Sequence, residues 1–334
     1  MALVPAVLMG DPSHFFIRSG SNPYTRTRWG VRKKVDSSKA KKQWHALTRL
    51  FTELGVRVVV LPPSKETPGS VFPANAGFLY PKEKKEEQRF YLSNLTPGRQ
   101  GERPLYEDFL RRLGFKLASL PHPFEGEADF IETASGFLFA WGEILKQRFV
   151  PRWGFPPYQR LYGFRSDARN LEFLTDVVGG KRILSLRLVN ELFYHGDTLL
   201  SPFGPRREYL LAYLPALAPE SQKVLLALFG DRLIPLEKED ALRFAANGFQ
   251  VETEGTLHFV LPEGLSDRLL QAIERRGVKV LTTSVSEFSG KGGGSIKCLL
   301  CDLGRVDPES QELSEEARRF WKERTHIPLS RNGS

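Results

Sequence analysis

The sequence predicts an α/β protein built from five repeated modules closed into a ring, and three observations carry that prediction. An amphipathic helix, a terminating glycine and a short β-rich run recur five times; a polar motif follows each run; and successive glycines lie 47 to 66 residues apart, the length of a small mixed α/β unit. A helix ending in glycine before a strand also occurs in every doubly wound α/β protein, so the rhythm alone does not settle the fold. The polar motifs do, because equivalent positions in five modules converge only when the modules surround a common axis.

Taken in order, the chain begins with an apolar run, Ala2 to Met9, which reads as a first strand. It has no cationic lead or small-residue cleavage pattern, and it is far shorter than the roughly 20 apolar residues a bilayer span needs. The five β-rich runs are GVRVVVLP from Gly55, GFKLASLP from Gly114, GKRILSL from Gly180, GDRLIPL from Gly230 and GVKVLTT from Gly277. Each glycine closes a helix-like stretch, such as Leu105 to Leu113 or Leu265 to Arg276, where only glycine takes the left-handed cap without a Cβ clash. The polar motifs, 11 to 21 residues beyond their glycines, are FPANAG with Asn75, FEGEAD with Glu125, Glu127 and Asp129, YHGDT with His195 and Asp197, RFAAN ending at Asn247, and GGGSIKC ending at Cys298. An insertion from Glu143 to Arg160, rich in Pro, aromatic and basic residues, reads as a surface loop, with a lid or an oligomer contact as the alternatives. Asp307 as N-cap and Pro308 at the first position predict a helix from Asp307 to Arg324 outside the repeats. The expected organisation is one domain over 1–306 and a C-terminal helix and tail over 307–334.

With 334 residues, 41% hydrophobic and 26% charged, the chain can bury a core without disulfides or structural metals. Two cysteines are too few for a disulfide framework or a thiolate zinc site, which suits a reducing, cytoplasmic setting. The formal charge of +9 raises nucleic acid or an anionic surface as partners, but the densest basic cluster, Arg26 to Lys34 with Trp29 inside it, reads as a solvated loop. There is no Walker-type loop, no GxGxxG and no convincing metal cluster, so no nucleotide or metal cofactor is expected.

The five motifs in this order resemble those of the guanidino-group-modifying superfamily: arginine deiminases, dimethylarginine hydrolases, glycine amidinotransferases and arginine dihydrolases. The resemblance runs from about residue 5 to 304. It is nearest to bacterial members reading FTANAG, FEGxGD, YGFRTD and FYHLDT, against VFPANAG, FEGEAD, YGFRSD and FYHGDT here. It implies the pentein fold, a five-bladed α/β propeller of ββαβ-type modules around a pseudo-fivefold axis. It also implies a cysteine-dependent hydrolase of arginine or a derivative, working through a covalent amidino-cysteine intermediate. Two alternatives stay open: an amidinotransferase, in which an amine takes the amidino group, and a non-catalytic pentein that binds a macromolecule. The implied partner is a small guanidino substrate, without nucleic acid or membrane, and a homodimer is one assembly it allows.

A guanidinium carbon is a poor electrophile because its charge is spread over three nitrogens, so its attack needs a strong nucleophile, a proton donor for the leaving amine and acidic groups to hold the cation. The resemblance gives Cys298 the first role, with N–H groups of the glycine-rich loop and a bound cation expected to favour its thiolate. His195, the one histidine in an HxD pair, would protonate the departing amine and then activate water. Two residues apart on a strand, His195 and Asp197 would face one cavity, Asp197 holding the substrate cation. Glu125 would orient His195 and grip the guanidinium, with Glu127 as the reserve and Asp129 supporting the loop. Arg165 resembles the arginine that binds the substrate α-carboxylate. Asn75 stands where deiminases carry a carboxylate; it would accept a guanidinium N–H without adding charge, as in relatives whose products are ornithine, ammonia and carbon dioxide. Two departures, HGDT for HLDT and Ser93-Asn94-Leu95 for an Arg-rich stretch ahead of Arg99-Gln-Gly-Glu102, put carboxylate recognition in doubt.

Overall fold

Five three-stranded sheets repeat one internal plan: an antiparallel hairpin whose second strand pairs in parallel with a third, the helix lying between the second and third strands in sequence. The structure, a computed structural model, describes residues 3–82, 84 and 86–327. Four sheets take their strands consecutively. They are Gly77–Tyr80, Arg89–Leu92 and Leu117–Ser119; Phe130–Thr133, Gly136–Trp141 and Ile183–Arg187; Leu200–Phe203, Tyr209–Ala212 and Leu233–Pro235; and Phe249–Thr253, Thr256–Pro262 and Lys279–Thr283. In the remaining sheet Val4–Gly10 pairs in parallel with Arg57–Leu61 and antiparallel with Cys301–Val306, so the two ends of the chain share one sheet.

The five punctuating glycines all have positive φ, between +50° and +90°, and the β-rich run after each supplies the parallel third strand. At Gly55, Gly180, Gly230 and Gly277 nothing stands within 4 Å of an added Cβ, so backbone conformation rather than space selects glycine there. The helices bury their apolar stripe: Trp44, Leu47 and Phe51 of Ser37–Glu53 lie in one core cluster with Val7, Met9 and Val58 of the sheet beneath.

Short 3-10 turns, each just ahead of a strand, bring the polar motifs together. The turn Pro73–Asn75 packs against both Gly126–Ala128 and Lys297–Leu299, and Gly126–Ala128 also packs against Gly196–Thr198. Gly126 permits this approach, since a Cβ there would meet the carbonyl oxygens of Ala74 and Gly77 at 2.7 Å.

Two expectations change. The C-terminal helix spans Glu315–Arg324, not the whole of 307–324, because the Ser314 hydroxyl caps Ala317 N at 3.1 Å and Glu315 and Glu316 fill the first turn, whereas Asp307 closes only a local turn to Ser310. Its Phe320 and Trp321 are buried against the second module, where Trp321 Nε1 donates to Leu113 O at 2.9 Å. Residues 328–334 of the expected tail, like Met1 and Ala2, lie outside the described residues. The insertion folds as a two-stranded hairpin, Arg148–Pro151 against Tyr158–Leu161. No helix among the described residues is long and apolar enough to cross a membrane.

Candidate active site

Cys298, His195, Glu125, Asn75 and Arg165 line one cleft of about 460 Å³, a volume suited to a small ligand. Its outer wall is residues 15–22 of the N-terminal segment, joined by the 66–69 and 97–102 loops.

His195 Nε2 lies 2.9 Å from Glu125 Oε2, with both side chains buried. Burial pushes the Glu125 carboxyl up, but the hydrogen bond to His195 and the charge of Arg99 outweigh it and hold the group well below the usual carboxylate range. An ionised Glu125 accepts only, so Nε2 carries the proton and Nδ1 is the basic nitrogen of the neutral ring. Thr96 Oγ1 donates to Glu125 Oε1 at 2.7 Å and fixes the carboxylate from its other side. Glu127 points elsewhere: it pairs with Lys297 and accepts from Asp302 N at 2.8 Å, away from the imidazole. Asp129 accepts from Ser166 Oγ at 2.6 Å and from Gly196 N at 2.9 Å, which pins the backbone next to His195. The three acids therefore surround a 3-10 turn and diverge instead of alternating along a strand edge. His195 and Asp197 likewise flank the start of the turn Gly196–Thr198 and are not on a strand.

Burial pushes the Asp129 carboxyl up to about 7, against the opposing influence of His195, Ser166 and Gly196 N. A carboxyl with a folded pKa above its unfolded one binds more protons when folded. Its stabilising contribution is full below about pH 4 and is lost as pH rises through about 7. Asp129→Asn, which keeps an acceptor for Gly196 N, is expected to flatten the fall in stability between those limits; denaturant titrations of both proteins at a series of pH values measure it.

Cys298 is 3% exposed, on the turn Lys297–Leu299. Its Sγ lies 3.4 Å from Asp197 Oδ2 and 3.2 Å from Asn247 Nδ2. Burial and then the Asp197 charge push the thiol well above its ordinary value, more than the Asn247 and Ser295 hydrogen bonds offset. Asp197→Asn should speed alkylation of Cys298 by iodoacetamide at fixed pH while lowering turnover, and equal alkylation rates would contradict the assigned cause.

Asp197 adjoins Cys298 but does not line the cleft that holds His195, which differs from the expectation that the two face one cavity; its buried Oδ1 has no hydrogen-bond partner, the feature a cation site needs. Burial pushes its carboxyl up, and a guanidinium would satisfy both that oxygen and the charge. Asn75 differs from expectation. Its Oδ1 already accepts from Arg99 Nη1 at 2.5 Å, and its Nδ2 faces His195 Nε2 at 3.4 Å, so the amide turns its donor side to the centre. Arg165 is 5% exposed and stacks over the Tyr194 ring, with its donors directed to the carbonyls of Gly163 at 2.9 Å and Ser21 at 2.5 Å. It ties the N-terminal segment to the site wall, and its place in the cleft is the remaining link to a substrate carboxylate.

Two groups carry more of the site than their sequence setting suggested. Asn247, in the fourth polar motif, accepts from Ser295 N and Cys298 N while donating to Asp197 O and Cys298 Sγ, so one amide holds the nucleophile loop and its neighbour. Arg99 makes a bidentate pair with buried Glu102, 2.9 and 2.6 Å, and its Nη1 reaches within 3.5 Å of Glu125 Oε2. Both belong to motifs visible in the chain, but nothing in the residue types gave their direction. Cys301, also free, is fully buried in the closing strand among apolar side chains.

The chain is similar to several known proteins. The family profile described as N,N dimethylarginine dimethylhydrolase, eukaryotic, matches residues 11–139. The bifunctional arginine dihydrolase/ornithine cyclodeaminases ArgZ of Synechocystis sp. and AgrE of Nostoc sp. are 30% and 31% identical over 296 residues; the match covers 88% and 87% of this chain but only 37% of either relative. The N(G),N(G)-dimethylarginine dimethylaminohydrolase of Mycobacterium tuberculosis is 28% identical, over 88% of this chain and 84% of its own. Among solved structures, the N-terminal domain of ArgZ bound to substrate superposes with a TM-score of 0.74 at 27% identity, covering 90% of this chain and 98% of that one. With four of the polar motifs lining one cleft and Asn247 of the remaining one holding Cys298, these likenesses show that the chain belongs to the guanidino-group-modifying, or pentein, superfamily.

Proposed function

We propose that this chain is a cysteine-dependent hydrolase of a guanidino substrate, arginine or a close derivative, acting as an arginine dihydrolase. The observation that carries the reading is the shared cleft. A buried thiol and a carboxylate-oriented imidazole line it, and beside the thiol, 3.4 Å from Sγ, stands a carboxylate whose other oxygen is unpartnered and suited to a guanidinium. Relatives that pair this fold with that chemistry, ArgZ and AgrE among them, support it, as does a structure of the N-terminal domain of ArgZ covalently bound to a reaction intermediate.

The steps follow from the geometry. The guanidinium docks on Asp197 Oδ1, and its positive charge offsets the burial that keeps Cys298 protonated, so the thiolate forms with substrate present. The thiol proton passes to Nδ1 of His195 as Sγ adds to the guanidine carbon, and the imidazolium then hands that proton to the terminal nitrogen as its C–N bond breaks and ammonia leaves. Neutral His195, held by Glu125, then takes a proton from water as that oxygen adds to the carbon, and the C–S bond breaks to regenerate the thiolate. A second round on the ureido product releases ornithine, ammonia and carbon dioxide. The donor side of Asn75, fixed by Arg99, suits that round, since an N–H can polarise a ureido carbonyl and a carboxylate would repel it. Asn75→Asp is accordingly expected to shift the output toward citrulline; chromatography of the products measures the ratio, and an unchanged ratio counts against this role.

In this reading Cys298, His195 and Glu125 are catalytic, and Asp197, Asn75 and Arg165 contact substrate. Asp129 is a supporting residue one shell away. The five sheets are blades around a pseudo-fivefold axis. Support comes from their identical strand order and from the mutual packing of the 3-10 turns. Residues 1–306 would form the catalytic domain, with the C-terminal helix as an appendage. A product assay over a panel of guanidines, with and without glycine or lysine as acceptor, tests the whole. Ornithine or citrulline from arginine supports hydrolysis, a new guanidino compound formed only with the amine means transfer, and no turnover of any guanidine removes the enzyme reading.

A further inference from the structure

The net positive charge of the molecule is nearly matched by that of two neighbouring loops. Residues 26–34 and 143–160 hold nine Lys and Arg against Glu143 alone, a net of +8 within a chain total of +9, which leaves +1 for everything else. The same loops expose large apolar side chains: Trp153 is 102% exposed, Phe155 79%, Val31 62% and Phe149 52%. They are built as one body. The Trp29 and Phe155 rings meet edge to face at 5.0 Å, Tyr158 Oη donates to Trp29 O at 3.3 Å, and Arg160 lies over the Phe149 ring. Sequence alone read each loop as solvated surface; together they form an apolar tip within a basic surround.

We propose that this paired-loop surface docks on an anionic phospholipid bilayer, with Trp153 and Phe155 entering the interface and the surrounding Arg and Lys meeting headgroup phosphates. Aromatic rings favour the headgroup level and cations beside them are drawn to acidic lipid, so the two features reinforce one another. A second copy of the chain fits poorly. A twofold contact through this face would set +8 against +8, and the rest of the chain has no counterbalancing excess of acid. Nucleic acid accounts for the charge but less well for the apolar part. Val31 is aliphatic and offers a base no ring to stack on, and Trp153 and Phe155 project from the turn of a hairpin rather than from an open sheet or groove. The surface adjoins the cleft, since Gln147 Nε2 donates to Ser21 O in the cleft wall at 3.1 Å. The proposal is independent of the reaction assigned above.

The test is sedimentation of the intact chain with vesicles of phosphatidylcholine alone and of phosphatidylcholine containing about 30 mol% phosphatidylglycerol, at low and raised salt. Binding to the acidic vesicles at least about tenfold tighter than to the neutral ones and weakened by salt is expected. The W153A/F155A and R148E/R152E variants, changed only at exposed positions, should each lose about tenfold. Tryptophan emission should shift to the blue on binding, and the shift should shrink in Trp153→Phe. The proposal is overturned if acidic vesicles do not retain the protein, if W153A/F155A binds them as the parent does, or if a single-stranded oligonucleotide binds more tightly and strips the protein from them.

Discussion

Cys298→Ser is expected to lower turnover of arginine by about 10⁴-fold or more while leaving the protein folded. A serine hydroxyl is far less nucleophilic than a thiolate, and its pKa lies so far above that of a thiol that a bound cation does not ionise it. Binding should survive, because the unpartnered Asp197 Oδ1 and the other side chains that line the cleft are untouched. The measurements are single-turnover kinetics and mass spectrometry after acid quenching. Parent protein should show a mass increase on Cys298 during turnover and the variant none. An adduct on another residue, or activity within tenfold of the parent, would remove Cys298 from the mechanism.

The second large effect concerns the acidic turn. Glu125→Gln should cost about 10²- to 10³-fold in kcat with a smaller change in KM, since an amide can present its NH2 group to Nε2 and no longer enforces the tautomer with a basic Nδ1. Glu127→Gln should change kcat by less than about tenfold. It loosens an ion pair to Lys297 and a hydrogen bond to Asp302 N, neither of which touches the imidazole. The size of the fall in kcat separates the two. Reversed magnitudes would make Glu127 the group that governs the histidine.

The module plan was readable in the chain because it depends on local chemistry. Gly55, Gly114, Gly180, Gly230 and Gly277 mark left-handed backbone, and a β-rich run after each has only one role in a ββαβ unit. That Cys298, His195, Glu125 and Asn75 meet was readable only through the resemblance, because convergence from four modules is a long-range property. What escaped is direction. Glu125, Glu127 and Asp129 look alike as a spaced trio, but a 3-10 turn sends them to His195, Lys297 and Ser166 respectively, and two-residue alternation does not apply on a turn. The engagement of Asn75 by Arg99 and the raised thiol of Cys298 escaped for a related reason. Both depend on burial and on partners brought from distant modules. The insertion showed its composition but not its partner, since the contact between Trp29 and Phe155 joins residues more than a hundred positions apart.

The pairing of Cys301–Val306 with Val4–Gly10 ties Cys298, three residues ahead, to a strand from the opposite side of the sequence. Neither strand lends a side chain to the cleft, yet together they anchor the turn that carries the sulfur. Substitutions that loosen this seam should therefore reach the chemistry from a distance, as a misplaced thiol rather than a lost contact.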